Sequence, residues 1–327
     1  MTGNVWLTDD EKVAIQRDVL DTFGPCPGGV KGLREWLDLS AAPQVSPADV
    51  YDLTTAEFDL PPSSAVRSLA VCGTYRSGSS LVAETLQTAG GYGIPLEYFQ
   101  SGAPERRFSR WLTGPLPYRD QVIAARTDPT GVFGVKLFWP DLRTLTGVPN
   151  LAPEAAAGVI GRALPSPLFV WLRRRDTVAQ ALSTLRALNS GRWRSIAGRQ
   201  SLQPRNADAV ASPPDRTERA RDEGDSCYDF VRLYRLVGMY LHQDALWANC
   251  FATASTPPLT VWYEDVAVDP ARTLADLTVQ LASDGMHPRE FGPYPIRLRK
   301  QAPASAELAV RRFLVEFREG RSNGHLD

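Results

Sequence analysis

The chain has 327 residues, of which 43% are hydrophobic and 22% charged, and its formal net charge is −1. This composition supports one large folded domain or two small ones and excludes a largely disordered chain. The balanced charge also excludes the global basic surplus that gives non-specific affinity for nucleic acid. Any anion-binding site therefore has to be local, and we predict no nucleic-acid partner.

The four cysteines, Cys26, Cys72, Cys227 and Cys250, are far apart and form no Cys-x-x-Cys pair. None of them lies near a cluster of the three histidines, so we predict no structural metal. The sequence contains no apolar run suited to a signal peptide and none as long as a membrane span. We therefore predict a cytoplasmic protein with reduced thiols and no membrane insertion, and a homodimer is left open.

Residues 1–64 are predicted to form an N-terminal helical appendage and a connector. Apolar residues near helical spacing indicate a helix from Asp9 to about Thr22, which the run Gly24–Gly29 ends. A second short helix is expected over Val30–Leu39. Prolines in polar surroundings between 43 and 62 then indicate an extended connector.

Residues 65–327 alternate strand and helix patterns, with polar residues from 193 to 225 that indicate a long surface loop or lid. Strands that are apolar throughout, separated by helices, predict an α/β fold: a P-loop-like central parallel sheet with helices on both faces. The predicted strands are Arg67–Cys72, Val132–Phe138, Leu168–Leu172 and Leu259–Trp262. The predicted helices are Ser79–Ala89, Asp176–Leu188 and Tyr228–Phe251.

The segment Gly73–Ser80, Gly-Thr-Tyr-Arg-Ser-Gly-Ser-Ser, directly follows the first of these strands and opens a helix. Its glycines allow backbone N–H groups to converge on one anion, and the helix N-terminus adds its positive end. A glycine-rich turn without a ligand is the alternative interpretation. The predicted contacts with a phosphate-containing cofactor are Arg76, Ser77, Gly78, Ser79 and Ser80.

Ser79 stands where a P-loop nucleotide triphosphatase carries its lysine. That lysine is needed when a triphosphate and Mg²⁺ are bound, whereas a phosphosulfate carries less charge and its sulfuryl group needs no metal bridge. The loop therefore favours sulfuryl transfer over kinase chemistry.

At these residues the sequence resembles the bacterial trehalose 2-sulfotransferase family. The loop pattern of that family, G-T-x-R-S-G-S-[ST], is met by Gly73–Ser80, with Tyr75 in place of the usual proline and Ser80 in place of the usual threonine. Gly134–Trp139 and Trp262–Asp265 resemble two further family segments, and the similarity extends from about residue 66 to 315.

The resemblance implies a sulfotransferase that uses 3′-phosphoadenosine 5′-phosphosulfate (PAPS) without a metal and releases adenosine 3′,5′-bisphosphate (PAP). The implied acceptor is a hydroxyl of a small molecule, a carbohydrate or a natural product. Neither the appendage nor the 193–225 loop carries a motif that identifies this acceptor.

A second anion site is predicted at Arg173-Arg174-Arg175-Asp176, where Asp176 is a credible helix N-cap. Positions 176, 180 and 183 share one helix face, so the Ser183 hydroxyl can meet an arginine from the strand end. The resemblance implies that Arg174 and Ser183 hold the 3′-phosphate of the cofactor. The alternative is a solvated arginine corner beside an ordinary helical serine. Lys300 resembles a basic residue of the family and is a further predicted contact.

The acceptor side is predicted around Glu97, which lies among Leu96, Tyr98 and Phe99. Burial there would raise the pKa of the Glu97 carboxyl, which suits a general base, and the resemblance implies that role. An ordinary surface glutamate is the alternative. Lys136 lies in an apolar strand, where its ammonium needs an anion. It either contacts the transferring sulfuryl group or pairs with a buried acid, and the sequence leaves both open.

Two other functions remain as alternatives. An ATP-dependent small-molecule kinase is disfavoured by Ser79 and by the lack of a convincing metal-holding acid, and a non-catalytic nucleotide-binding protein would keep the cradle without the chemistry. Arg192-Trp193-Arg194 is expected either over the adenosine or acceptor or in ordinary packing. Tyr263, Glu264 and Asp265 are expected to be structural or to hold a lid, rather than to take part in the chemistry.

Overall fold

The computed structural model of the protein describes residues 6–26, 28–39, 59–61, 63–100, 115–191, 193, 228–287 and 305–322. Its centre is a sheet of four parallel strands in the spatial order β2-β1-β3-β4. The strands are β1 (Arg67–Gly73), β2 (Val132–Phe138), β3 (Pro167–Arg173) and β4 (Leu259–Trp262). All four predicted strands are present at nearly the predicted bounds, so the α/β fold with a central parallel sheet is confirmed.

Five helices were predicted from the sequence, those at Asp9–Phe23, Gly29–Trp36, Ser79–Ala89, Thr177–Ser190 and Phe230–Ala252, and the others were not. The helices of the described residues are α1 (Asp9–Phe23), α2 (Gly29–Trp36), α3 (Ser79–Ala89), α4 (Pro115–Arg126), α5 (Leu142–Thr146), α6 (Pro153–Ala163), α7 (Thr177–Ser190), α8 (Phe230–Ala252), α9 (Tyr263–Val268), α10 (Pro270–Ser283) and α11 (Ser305–Ser322). None of these helices is long and apolar enough to cross a bilayer.

Helices cover both faces of the sheet. Within β1, Ala70 and Cys72 enter the hydrophobic cluster on one face, and Leu69 and Val71 enter the cluster on the other. This alternation follows from the strand period of two. The first cluster is closed by α4, α5, α6 and α8, and the second by α3, α9 and α10. Burial of both faces explains why the strands are apolar throughout rather than alternating.

A third hydrophobic cluster joins α1, α2, α7, α8 and α11. Here α1 lies so close to α8 that a Cβ added at Gly238 would come within 2.5 Å of the Val19 Cβ. Arg318 on α11 donates to Glu11 on α1 at 2.8 Å. The two predicted N-terminal helices therefore exist and share a hydrophobic core with the rest of the protein.

Several predicted features lie outside the described residues. They are most of the connector between 43 and 62, most of the 193–225 segment, Cys227 and Lys300. The boundary at residue 64 and the separate status of the N-terminal appendage remain predictions.

Candidate active site

The segment between β1 and α3 forms a tight turn with two left-handed residues, Arg76 (φ 62°) and Gly78 (φ 87°). A Cβ added at Gly78 would lie 2.6 Å from Cδ2 of Tyr263, so this position excludes any side chain. Ser77 donates its hydroxyl to the Thr74 carbonyl at 2.7 Å, inside the turn. Ser77 therefore stabilises the turn with its side chain, leaving only its backbone for a ligand.

The N-terminus of α3 has no side-chain cap. In contrast, Asp176, Asp229 and Asp269 cap α7, α8 and α10 with their carboxylates. The first amide groups of a helix have no partner within the helix, and together they favour an anion. The start of α3, at Ser79 and Ser80, is thus open to an anionic ligand.

Three predicted cofactor-binding residues meet beside this turn. Arg76 Nε donates to Ser183 Oγ at 3.0 Å, and Arg174 Nη1 donates to the Arg76 carbonyl at 3.0 Å. The Arg174 guanidinium carbon lies 4.4 Å from the centroid of the Tyr263 ring, which orients it. The turn after β1 and the turn after β3 therefore present Arg76, Arg174 and Ser183 as one cluster.

The two arginines on either side of Arg174 are paired with acids. Arg173 contacts Asp244 on α8 at 2.5 Å, and Arg175 Nη1 contacts Asp265 on α9 at 2.8 Å. The hydrogen bond from Arg175 lowers the pKa of the Asp265 carboxyl below its usual value. Arg174 forms no salt bridge with a described residue, although the Asp176 carboxylate is close enough to interact with it electrostatically. Among Arg173, Arg174 and Arg175, it is therefore the arginine available to a ligand.

Glu264 stabilises the turn after β3. Its carboxylate accepts the backbone N–H groups of Arg175 at 3.0 Å and Asp176 at 3.1 Å. Asp176 in turn caps α7 by accepting the Ala179 N–H at 2.8 Å, and burial raises the pKa of the Asp176 carboxyl. Glu264 thus has the structural role that was expected, although its segment begins α9.

Lys136 connects the candidate base with the phosphate loop. Its side chain is 1% exposed, and its Nζ lies 2.7 Å from Glu97 Oε1. The same Nζ donates to Ser80 Oγ, at the start of α3, over 3.3 Å. The acid that pairs with this lysine is therefore Glu97 itself, and the ammonium also reaches the anion-binding turn.

The Glu97 side chain is 25% exposed, whereas its neighbours Leu96, Tyr98 and Phe99 are buried. Leu96 forms a bridge with Val135, and the Lys136 N–H donates to the Leu96 carbonyl at 2.9 Å. The segment therefore lies along β2, and Glu97 is its partly exposed residue beside Lys136. Sequence reasoning expected an apolar environment around this carboxylate, and the structure adds the ammonium of Lys136.

Two glycines allow this segment to approach β2. A Cβ added at Gly93, where φ is 67°, would lie 2.1 Å from the Gly134 nitrogen. A Cβ added at Gly134 would lie 2.5 Å from the Tyr92 carbonyl oxygen. Glycine at both positions is needed to bring Glu97 against Lys136.

Sequence reasoning missed two residues that hold the phosphate loop. Gln180 Nε2 donates to Thr74 Oγ1 at 2.7 Å and to the Tyr75 carbonyl at 2.6 Å. Trp247 Nε1 donates to the Gly73 carbonyl at 3.0 Å. Gln180 shares a helix face with Asp176 and Ser183, which is the one signal that could have identified it.

Trp193 is the described residue of the predicted Arg192-Trp193-Arg194 group. Its carbonyl accepts a hydrogen bond from Arg76 Nη1, and its ring packs against the helical cluster of α1, α2, α7, α8 and α11. Packing is thus the interpretation that the described part of this group supports. Within the described residues, no group of three or more His, Cys, Asp or Glu is arranged to hold a metal ion.

An anion-binding turn, an adjoining arginine cluster and a glutamate–lysine pair suit an enzyme that transfers an anionic group. The chain belongs to the Stf0 sulphotransferase family, whose sequence model matches residues 68–316. The matched region runs from β1 into α11, so α1 and α2 precede it.

Two curated relatives carry the name trehalose 2-sulfotransferase. The protein from Mycobacterium tuberculosis is 30% identical over 40% of this chain and 61% of its own length. The protein from Mycolicibacterium smegmatis is 26% identical over 74% of this chain and 92% of its own length. The chain thus spans about three fifths of the first relative and nearly all of the second.

Proposed function

We propose that the protein is a cytoplasmic sulfotransferase that moves a sulfuryl group from PAPS to a hydroxyl of a small-molecule, carbohydrate or natural-product acceptor. The observation that carries the proposal is that the N-terminus of α3, which has no side-chain cap, lies beside Arg174, which forms no salt bridge with a described residue. A donor with anionic groups at both its 5′ and 3′ positions requires two such sites side by side.

The described residues fit this donor. The turn from Arg76 to Ser80 excludes side chains at Gly78 and leaves the amides of α3 for the phosphosulfate. Arg174 and Ser183 provide a planar cation and a neutral hydroxyl for the 3′-phosphate. Lys300 remains a predicted contact.

The chemical step needs one proton acceptor and charge stabilisation. Glu97 takes the proton of the acceptor hydroxyl, whose oxygen forms a bond to sulfur while the bond from sulfur to the 5′-phosphate oxygen breaks. Lys136 lies between Glu97 and Ser80, where it offsets negative charge on the transferring group. Arg76 and the loop amides stabilise the departing phosphate, and no metal takes part.

Trehalose is the first acceptor to test, because two relatives are named for it. The kinase alternative remains disfavoured by Ser79, which begins α3 at the position where a kinase loop needs a lysine. A nucleotide-binding protein without turnover remains the second alternative, and product formation separates it from an enzyme.

The decisive measurement compares thermal stabilisation by PAP with that by ATP plus Mg²⁺. A ligand present at about 100 times its dissociation constant stabilises the native state by about 2.7 kcal/mol, so PAP should raise the melting temperature clearly and ATP much less. The reverse ranking would exclude the sulfotransferase assignment. Mass spectrometry of hydroxylated acceptors incubated with PAPS, trehalose first, then detects the sulfated product.

A further inference from the structure

The phosphate loop contains a strained backbone conformation, which contacts with neighbouring residues must maintain. Arg76 has a left-handed φ of 62°, a conformation that residues with a Cβ rarely adopt. Strain of this kind persists only where neighbouring contacts determine the conformation. Gln180 and Arg174 supply two such restraints through the carbonyls of Tyr75 and Arg76.

Tyr75 stands at a position where the resembling family has proline. A proline restricts its own φ and the conformation of the residue before it, so it stiffens a loop locally. A tyrosine backbone has no such restriction. In this chain the stiffness at position 75 therefore has to come from tertiary packing of the side chain.

The Tyr75 side chain lies in a hydrophobic cluster that includes the N-terminal helices, close to the Gly29 backbone at the start of α2. The residue is 8% exposed, and its ring centroid lies 4.5 Å from that of Phe138. It belongs to the hydrophobic cluster built from α1, α2, α7, α8 and α11. Tyr75 thus extends from the loop toward the start of α2, which precedes the family match.

The Tyr75 ring makes the packing contacts with the hydrophobic cluster, and the hydroxyl contributes little to this packing. The hydroxyl is buried beside the Gly29 backbone but makes no hydrogen bond of ordinary geometry to a described residue. Burial, together with the nearby Asp141 and Glu97 carboxylates, raises the pKa of Tyr75 well above its usual value. Removing the hydroxyl alone should therefore leave the loop in place.

The helix pair that receives Tyr75 is itself fastened to α8. Trp36 Nε1 donates to the Phe23 carbonyl at 3.1 Å, which joins α2 to the end of α1. The Arg235 guanidinium carbon lies 4.4 Å from the Phe23 ring centroid and 4.7 Å from that of Trp36, and Arg235 also contacts Asp38 at 3.1 Å. The pair is thus a fixed support.

We propose that α1 and α2, which lie before the matched family region, hold the phosphate loop in its anion-binding conformation through the ring of Tyr75. Tyr75 is then a positioning residue for nucleotide binding. Its packing, here called the brace, replaces the local backbone stiffness that a proline would give the loop. The ligand named here rests on the proposed function, because PAP is the nucleotide that the loop is proposed to bind.

The test measures PAP affinity by titration calorimetry well below the melting temperature of every variant. Tyr75→Leu removes the breadth of the ring and should raise the PAP dissociation constant by about tenfold or more, a difference of about 1.4 kcal/mol. Tyr75→Phe should stay within about twofold of wild type because the hydroxyl makes no hydrogen bond of ordinary geometry to a described residue.

Phe313→Leu is the matched control, since Phe313 lies on α11 in the same cluster and is fully buried. It should lower the melting temperature about as much as Tyr75→Leu while leaving PAP affinity within about twofold. Equal PAP affinity of Tyr75→Leu and wild type would overturn the brace, and so would an equal loss of affinity in Phe313→Leu.

A second variant covers the case in which Tyr75→Leu does not fold. Trp36→Leu loosens the contact between α2 and α1 on the far side of the brace and should weaken PAP binding about two- to fivefold. If Tyr75→Leu is insoluble, unchanged PAP affinity in Trp36→Leu overturns the inference. Absence of PAP binding by the wild type would instead contradict the proposed function, so the two failures are distinguishable.

Discussion

Two strand-to-helix turns lie next to each other, one after β1 and one after β3, and they are stabilised in opposite ways. After β3, Asp176 caps α7 and Glu264 accepts two backbone N–H groups. After β1, no side chain caps α3, and glycine is required at position 78. The turn after β3 satisfies its backbone donors with side chains, whereas the helix after β1 begins without a side-chain cap.

The two turns therefore have different proposed roles: the turn after β1 binds the ligand, and the turn after β3 supports it. Strands β1 and β3 are parallel neighbours, so both turns lie at the carboxyl ends of the strands. Arg174 in the turn after β3 donates a hydrogen bond to the Arg76 carbonyl in the turn after β1. The other arginines of the turn after β3, Arg173 and Arg175, are neutralised by acids. Changes beside the first turn should therefore affect turnover, changes at Arg174 should affect nucleotide selectivity, and changes at the cap should affect only stability.

The largest effect is expected at Glu97, beside the first turn. Glu97→Gln keeps the size and polarity of the side chain but removes the base, so single-turnover sulfation should fall about 10²–10⁴-fold while PAP affinity barely changes. The measurement follows product formation across pH. A variant within about tenfold of wild type that keeps the acidic limb of the pH–rate profile would end the general-base assignment.

An intermediate effect is expected at Arg174, between the turns. A hydrogen bond to a charged group contributes about 1.5–3 kcal/mol, so Arg174→Ala should weaken binding of PAP by about 10- to 100-fold. Binding of adenosine 5′-monophosphate, which lacks the 3′-phosphate, should change much less. Calorimetric titration of wild type and Arg174→Ala with both nucleotides measures these changes in affinity.

Arg175→Ala is the control for this prediction, because Arg175 is exposed and already paired with Asp265. It should leave the affinity for both nucleotides nearly unchanged. Equal losses for PAP and adenosine 5′-monophosphate in Arg174→Ala would remove Arg174 from the 3′-phosphate site.

The smallest effect is expected at Asp176, within the second turn. Loss of an N-cap typically costs about 1 kcal/mol, so Asp176→Ala should lower the free energy of unfolding by about that amount. Asp176→Asn keeps the acceptor for the Ala179 N–H and avoids burying a charge. Urea unfolding measures both variants.

The difference in stability between wild type and Asp176→Asn should depend on pH. Because burial raises the pKa of Asp176 in the folded protein, wild type loses stability as pH rises from below the ordinary carboxyl value through that folded pKa. Asp176→Asn should therefore equal or slightly exceed wild-type stability at neutral pH, and the gap should close in acid. If Asp176→Asn lost as much stability at neutral pH as Asp176→Ala, the N-cap would be shown to need the negative charge of the carboxylate.

The strands and the turn after β1 could be predicted from sequence because their signals are local, and anion binding by that turn stays a prediction. An apolar run that ends in glycine and opens an amphipathic helix specified β1, the turn and α3 in order. Helices α6 and α10 were missed although each begins with proline, a common first residue of helices. Their apolar spacing was not recognised as helical.

Local chemistry in the sequence was sufficient to specify a parallel α/β sheet, a loop suited to an anion and the residue types for acid–base work. Only the folded chain decided which of these residues meet. The partner of Lys136 is Glu97, and the partner of Arg76 is Ser183. These pairs join residues far apart in the chain, so they depend on strand order, on register and on close glycine contacts, none of which is encoded in a local pattern.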